Sequence, residues 1–323
     1  MGPRFTVASY KGAARVAQLL PERFALGAGS AIGSLIPYVA RGRATQVAIH
    51  QRRIDPSLPP SGPLLRRQVR RTFESYACSM VDSFRLPSMS AAEIDSRVDV
   101  EGWHHVEAGL ADGKGLVMAM PHLGAWDLGG AWFAARTPLT VVAEALEPPE
   151  LFDWFVQHRH RLGITVVPLG PDVTGPLVGA LRRNECLGLL CDRDITGGGI
   201  EVTFFGERTT VPGGPATLAL RTGAPILPNA AVYSPGRRIR AIVRPPIRFE
   251  RRGRLRDDVT ALTQLVVVEL EALIREHPEQ WHVLQPNWPT DPGFEPSTPS
   301  TRHNAPVTHA PVTHAPDTDE SAP

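Results

Sequence analysis

From Gly115 to Cys191 the chain alternates short apolar runs with segments whose apolar residues recur at helical spacing. The runs are Leu116–Met120, Leu139–Glu144, Ile164–Pro168 and Leu187–Cys191. Between them lie Ala125–Ala135, Glu150–Leu162 and Val173–Arg182. A strand that is apolar on both faces must be covered on both, and a helix between successive strands makes them parallel. The pattern predicts an α/β fold with a largely parallel sheet flanked by helices. It continues with a helix at Gly213–Thr222, strands at Ile226–Tyr233 and Ile239–Ile247, and a long helix at Asp257–Glu276.

The ends of the chain read differently. Tyr10–Leu20 and Ala28–Ala48 are helix-like segments rich in Ala, Leu, Val and Ile, parted near Pro21. Arg15, Arg23, Arg41 and Arg43 lie within or between them, so the pair suits either a membrane interface or ordinary packing. A Pro/Ser-rich loop at 54–63 precedes a long amphipathic helix, Leu64–Phe84, whose first turns carry Arg66, Arg67, Arg70 and Arg71. Beyond it, Ala91–Ser96 and Trp103–Leu110 read as helices. After residue 290 the composition is Pro, Thr, Ser and His, with Ala-Pro-Val-Thr-His twice in succession at 305–314. Such a segment cannot build a core. The expected organisation is one domain over 1–290, its first 85 or so residues a helical membrane-associating region, and a disordered tail over 291–323.

Composition excludes several classes. A net charge of +1 gives no overall field for nucleic acid. Cys78, Cys186 and Cys191 show neither CxxC nor zinc spacing, which fits a reducing compartment and gives no metal site. No run of about 18 apolar residues is present, so a spanning helix is not expected. No signal-peptide pattern opens the chain. There is no Gly-x-Ser-x-Gly nucleophile elbow, no His-Glu-x-x-His helix and no dinucleotide fingerprint.

Ligands of open α/β sheets bind in loops at the carboxyl ends of strands. His122 follows the strand at 116–120, and Asp127 falls in the first turn of the next helix. On a continuous helix two residues five apart would diverge by about 140°. A turn at Gly124 lets them meet, and the carboxylate would then fix the imidazole tautomer and leave the other nitrogen as a general base. The alternative is a loop histidine beside a helix-capping acid. A second stretch, Cys191-Asp-Arg-Asp-Ile-Thr-Gly-Gly-Gly199, also begins at a strand end. There Asp192 or Asp194 would accept hydrogen bonds from sugar hydroxyls and Arg193 would clamp a phosphate, or the three would form a structural network.

Four motifs occur in one order: His122-x4-Asp127 within Pro-His-Leu-Gly-Ala-Trp-Asp, Asp192-Arg-Asp with Phe204-Phe-Gly, Pro212-x2-Pro-Ala, and Trp281-His-Val-Leu-Gln-Pro-x-Trp288. With them the chain resembles, over roughly residues 10–290, the bacterial lauroyl/myristoyl lipid A acyltransferases, and within that family the phosphatidylinositol mannoside acyltransferases. The resemblance implies a peripheral enzyme at the cytoplasmic face of the plasma membrane. Its substrates would be acyl-CoA and a mannosylated phosphoinositide glycolipid, with no cofactor. It implies His122 as base, Asp127 as its orienting partner, Glu144 and Arg159 as site-lining charges, and Gly198 and Arg221 at the acyl donor. Where the mannoside enzymes carry Glu-Arg-Asp, this chain has Asp192, one methylene shorter, so its contact to acceptor or base must differ. Rival expectations are a lipid A-type enzyme fed by acyl carrier protein and a non-catalytic lipid-binding protein. A catalytic reading requires the His122 imidazole in hydrogen-bond reach of Asp127, at the mouth of an apolar tunnel; without both, the binding protein is favoured.

Overall fold

The computed structural model describes residues 3–296, with side chains from Val7 onward. The repeat at 305–314 and the tail from 297 lie outside the described residues.

Four helices come first: α1 (Pro3–Leu19), α2 (Glu22–Val39), α3 (Arg41–Ile54) and α4 (Pro63–Arg85). The expected single helix over 28–48 is two, because Pro37 removes a backbone donor and the chain leaves helical geometry at Ala40 (φ −98°, ψ 57°). α2 lies close along α4. A Cβ on Gly33 would stand 2.6 Å from the Phe73 carbonyl oxygen, and one on Gly29 2.9 Å from Val81. Glycine one turn apart therefore sets how near the two helices approach.

The α/β part follows as α5 (Ala91–Arg97), β1 (Val98–Glu101), α6 (Trp103–Ala111), β2 (Leu116–Met120), α7 (Trp126–Ala134), β3 (Leu139–Ala143), α8 (Pro149–His160), β4 (Ile164–Pro168), α9 (Thr174–Arg182) and β5 (Cys186–Leu190). Next come β6 (Ile200–Phe204), β7 (Glu207–Val211), α10 (Gly214–Thr222), β8 (Ile226–Tyr233), β9 (Ile239–Val243) and α11 (Leu255–Glu276). Seven strands form one sheet in the order β1-β9-β8-β2-β5-β3-β4, parallel except at β8–β9. β9 ends at Val243, short of the expected 247, because Pro245 and Pro246 have no N–H to continue the ladder. The hairpin β6–β7 was not read from the sequence; Glu-Arg-Thr-Thr-Val has little of the apolar signal of a buried strand.

Both faces of the sheet are buried, as the runs require. Leu116 and Met118 of β2 pack with Leu128, Ala131 and Trp132 of α7 on one face. Val117 and Ala119 pack with Leu177, Leu218 and Leu262 of α9, α10 and α11 on the other. The chain passes from β2 to β3 on one side and from β5 to β8 on the other. Connections thus diverge at the adjacent carboxyl ends of β2 and β5, where an open sheet leaves a crevice.

The folded domain runs past 290. Asp291 is buried, accepts hydrogen bonds from the backbone N–H groups of Asn287 and Trp288, and pairs with His50 and Arg53. The segment 278–291 packs its Trp281 and Trp288 with Phe204 and Phe205 in a third apolar cluster.

Candidate active site

β2 and β5 pair in register, Met120 opposite Leu190. Two residues further along each strand stand His122 and Asp192, level with one another. The His122 Nδ1 lies 2.6 Å from Asp192 Oδ1, and the His122 backbone N–H donates to Oδ2 at 2.8 Å. Trp281 donates its indole Nε1–H to the same Oδ2 at 2.7 Å, and the Asn287 side-chain amide donates to the Asp192 carbonyl at 3.0 Å. The carboxylate is fully buried, while the imidazole is 29% exposed. Burial alone would raise the Asp192 pKa. The His122 imidazole and the donated hydrogen bonds hold it below the usual carboxylate range. An ionised carboxylate only accepts, so the proton sits on Nδ1 and Nε2 carries the free lone pair.

This corrects the expected His122–Asp127 pair. Gly124 does turn the chain: its φ is +66°, and a Cβ there would meet the Ala231 carbonyl oxygen at 2.2 Å. The turn, however, delivers Asp127 to the helices and away from the imidazole. Its Oδ2 accepts from Ser83 of α4 at 2.9 Å, and its Oδ1 accepts from Arg159 Nη2 of α8 at 2.9 Å. Burial would raise this carboxyl too, and Arg159 with Ser83 keeps it low. Asp127 is the anchor of Arg159.

The other expected residues divide by place. In the register of β3 with β5, Val141 faces Gly188, so Glu144 stands at the carboxyl edge one strand from Asp192, exposed. Arg193 is half-buried beside Asp192 and has no hydrogen bond or ion pair among the described residues. Gly198 lies exposed in the loop between β5 and β6. Arg221 does not join them. It sits in the last turn of α10, which has run back toward the amino edge where β8 begins. Nine helical residues span about 13 Å, which separates it from the His122 edge.

The backbone N–H groups of the glycines in these two loops are engaged within the protein. The Gly124 N–H donates to the Gln280 carbonyl at 2.9 Å. The Gly197 and Gly199 N–H groups are spent on Asp194, at 3.0 and 2.9 Å. Sequence reasoning missed Trp281, which stood in a motif without a role, and Ser83, which stood in none. It also missed His282, whose backbone N–H donates to the His122 carbonyl at 2.8 Å. The His282 Nε2 lies 2.9 Å from Ser75 Oγ, its Nδ1 has no partner among the described residues, and burial lowers its pKa to about 3. Its imidazole is therefore neutral near pH 7.

Beside the pair, a narrow apolar groove opens between α7 and the sheet, with a cavity volume of about 50 Å³. Pro121 and Leu123, on either side of His122, line it, as does Trp126, whose ring lies 5.8 Å from the imidazole. Met118, Ala231 and Phe133 carry it inward. The expected His122–Asp127 pair at an apolar mouth is therefore absent, and in its place the imidazole meets Asp192, from another strand, beside an apolar cavity.

The model of the bacterial lipid A biosynthesis acyltransferases matches residues 4–290. The chain belongs to that family. A phosphatidylinositol mannoside acyltransferase of Mycolicibacterium smegmatis is 33% identical over 299 residues, covering 90% of this chain and 94% of the relative. One from Mycobacterium tuberculosis strain H37Rv is 38% identical over 226 residues, covering 68% and 70%. The chain is thus an acyltransferase of lipid metabolism. Among the described residues no helix is long and apolar enough to cross a membrane. The family's chemistry also removes one option from the site: burial pushes the Cys186 thiol up to about 12 and the Cys191 thiol higher still, so neither offers a thiolate to carry an acyl group.

Proposed function

We propose that this acyltransferase moves a fatty acyl chain from acyl-CoA to a mannose hydroxyl of a phosphatidylinositol mannoside, with His122 as general base. The observation that carries the reading is the His122–Asp192 pair beside an apolar groove. The acceptor comes from the relatives, both called phosphatidylinositol mannoside acyltransferases. His122 Nε2 takes the proton of the acceptor hydroxyl as its oxygen attacks the thioester carbonyl carbon. The tetrahedral intermediate collapses, the C–S bond breaks, and the thiolate leaves with the proton that the imidazolium holds. No acyl-enzyme is needed, because both substrates are held together. Asp192 stabilises the imidazolium. Arg193, a cation at the edge without a partner among the described residues, suits an anionic group of the donor, and Glu144 accepts hydrogen bonds from sugar hydroxyls. Asp127 holds Arg159 toward the same edge.

Mass spectrometry of products tests this, after incubation with palmitoyl-CoA and a panel of mannosylated and lipid A-like acceptors. The expected product is a phosphatidylinositol mannoside heavier by one acyl group. Acylation of the lipid A-like acceptors alone, or transfer only from acyl carrier protein, would move the chain to the lipid A branch. Lipid binding without any product would leave a binding protein.

On the same reading the N-terminal helices meet the cytoplasmic face of the membrane. Phe24, Ile32, Leu35 and Val39 are exposed on α2 and fall within about 80° of its circumference at 3.6 residues per turn. That face is turned by about 120° from Gly29 and Gly33, which contact α4. Val16 and Leu19 of α1 are exposed too, and so are Arg15, Arg23, Arg41 and Arg43. Apolar insertion plus attraction to anionic headgroups gives reversible surface binding, since neither alone is large. Sedimentation with anionic vesicles should show association that weakens with salt and with Arg-to-Glu changes at these four positions. Association indifferent to both would make the helices ordinary domain packing.

A further inference from the structure

Between Trp281 and Trp288 the chain belongs to no helix or strand, yet this segment supports both members of the catalytic pair. Trp281 Nε1 donates to Asp192 Oδ2, Asn287 Nδ2 donates to the Asp192 carbonyl, and the His282 N–H donates to the His122 carbonyl. An irregular segment has no ladder of its own to fix it, so its place depends on what grips it from outside. The grip comes from α3.

One face of α3 is buried, and Gln46, Val47, His50, Gln51 and Ile54 stand on it. Glutamine and histidine occupy positions where leucine would pack at less cost, and such buried polar groups persist only when bonded. Gln51 Nε2 donates to the Pro278 carbonyl at 2.7 Å, where the segment leaves α11. His50 is 1% exposed and meets the segment at two points. Its Nδ1 lies 3.0 Å from the Val283 carbonyl oxygen, and its Nε2 lies 3.1 Å from Asp291 Oδ2 and 2.8 Å from the Gln46 amide. Its ring centre is 5.2 Å from those of both Trp281 and Trp288.

Asp291 carries the grip onward. The same Oδ2 accepts the backbone N–H groups of Asn287 and Trp288, and Arg53 of α3 pairs with Oδ1 at 2.9 Å. Burial alone would raise the Asp291 pKa; His50, the Asn287 N–H and Arg53 hold it well below the usual carboxylate range. Asn287 is thus held through its backbone, and Trp281 through its ring, while their side chains reach Asp192.

We infer that His50 is a positioning residue for acyl transfer: from α3 it holds Trp281 and Asn287 on Asp192, and so keeps that carboxylate aligned with the His122 imidazole. The inference rests on the acyl-transfer reading above. His50 touches no reacting atom and acts only through the segment. Were the segment to shift, Asp192 would lose one donor on its carboxylate and one on its carbonyl, and the His122 Nδ1–H would lose an aligned acceptor. A loosened base slows proton transfer without removing a contact to the donor, so kcat falls while KM for acyl-CoA holds.

The test is proton NMR of the His122 Nδ1–H, with kcat and KM, on the wild-type chain, His50→Gln and Trp281→Phe. A proton held between Nδ1 and a carboxylate 2.6 Å away resonates far downfield, and its loss in His122→Ala assigns it. His50→Gln keeps an amide beside Asp291 but removes the ring and releases the Val283 carbonyl. In it the signal should move upfield or vanish by exchange with water, and kcat should fall about tenfold or more with KM for acyl-CoA little changed. Trp281→Phe takes the indole donor from Asp192 and should act in the same direction. The double variant should cost far less than the product of the two, since both act through one contact. If His50→Gln does not fold, His50→Asn takes its place, keeping an amide near Val283 and releasing Asp291. A folded His50 variant whose signal stays at the wild-type position overturns the inference whatever its activity, because His50 then only packs the core. A wild-type chain that shows the signal but transfers no acyl group overturns the acyl-transfer reading instead, and His50's part in transfer with it.

Discussion

Alanine at position 122 is expected to lower acyl transfer by about 10²- to 10⁴-fold, the usual contribution of a positioned general base. The fold should survive. The imidazole makes one side-chain hydrogen bond, to Asp192, and the ties that hold the loop run through the backbone. These are the His122 N–H to Asp192 Oδ2 and the His282 N–H to the His122 carbonyl, and alanine keeps both. What alanine removes is one donor to a buried carboxylate, a loss of about 1–3 kcal/mol in stability. A thermal melt should therefore show a modest drop and a cooperative transition. Turnover near wild type in a folded variant would remove His122 as the base.

How much of this was readable before the fold was known depends on the distance over which each signal acts. Strands β2 to β5 were legible because burial on both faces leaves apolar runs such as Leu-Val-Met-Ala-Met. So was the place of His122, since a loop after a buried strand is where ligands meet the sheet. Which strand neighbours which was not legible. β5 inserts between β2 and β3, and only that adjacency sets Asp192 beside His122, 70 residues away in the chain. A local His-x4-Asp spacing stood in for it and named the wrong carboxylate. Trp281 was missed for the same reason. Its chain segment meets the site through isolated backbone contacts such as the bridge of Leu123 to Trp281, and through Gln280, whose amide pairs with both backbone groups of Tyr233. A side chain that replaces a strand neighbour leaves no periodicity to find. Asp127 shows the converse: the local spacing singled it out, but its partners Ser83 and Arg159 lie on helices whose packing no spacing encodes.

Asp192→Asn should be nearly as damaging as the loss of His122, and it distinguishes two roles. As an acceptor contact, Asp192 would hold sugar hydroxyls, and its loss would slow transfer by one or two orders while sparing hydrolysis of acyl-CoA by water. The geometry favours the other role, because both oxygens already receive donors from the protein: His122 Nδ1, the His122 backbone N–H and Trp281 Nε1. Asparagine offers one oxygen and one NH₂ in their place. Turned so that the oxygen keeps the two donors on the Oδ2 side, its NH₂ faces Nδ1, which must then accept. The proton moves to Nε2, the atom that has to take one from the substrate. A wrong tautomer in an intact site costs about 10⁴-fold in serine proteases, and a loss of that order is expected here. A sugar hydroxyl and a water both need the same base, so transfer and hydrolysis should fall together. Asp127→Asn, which leaves the imidazole's partner untouched and loosens only Arg159, should cost less in both. Asp192→Glu keeps the charge but adds a methylene to a fully buried site, and overpacking there costs about 1–3 kcal/mol. It should keep the tautomer and so retain far more activity than asparagine. The measurement is transfer and acyl-CoA hydrolysis on each variant side by side. Hydrolysis at wild-type rate in Asp192→Asn would return Asp192 to the acceptor and leave His122 without its orienting carboxylate.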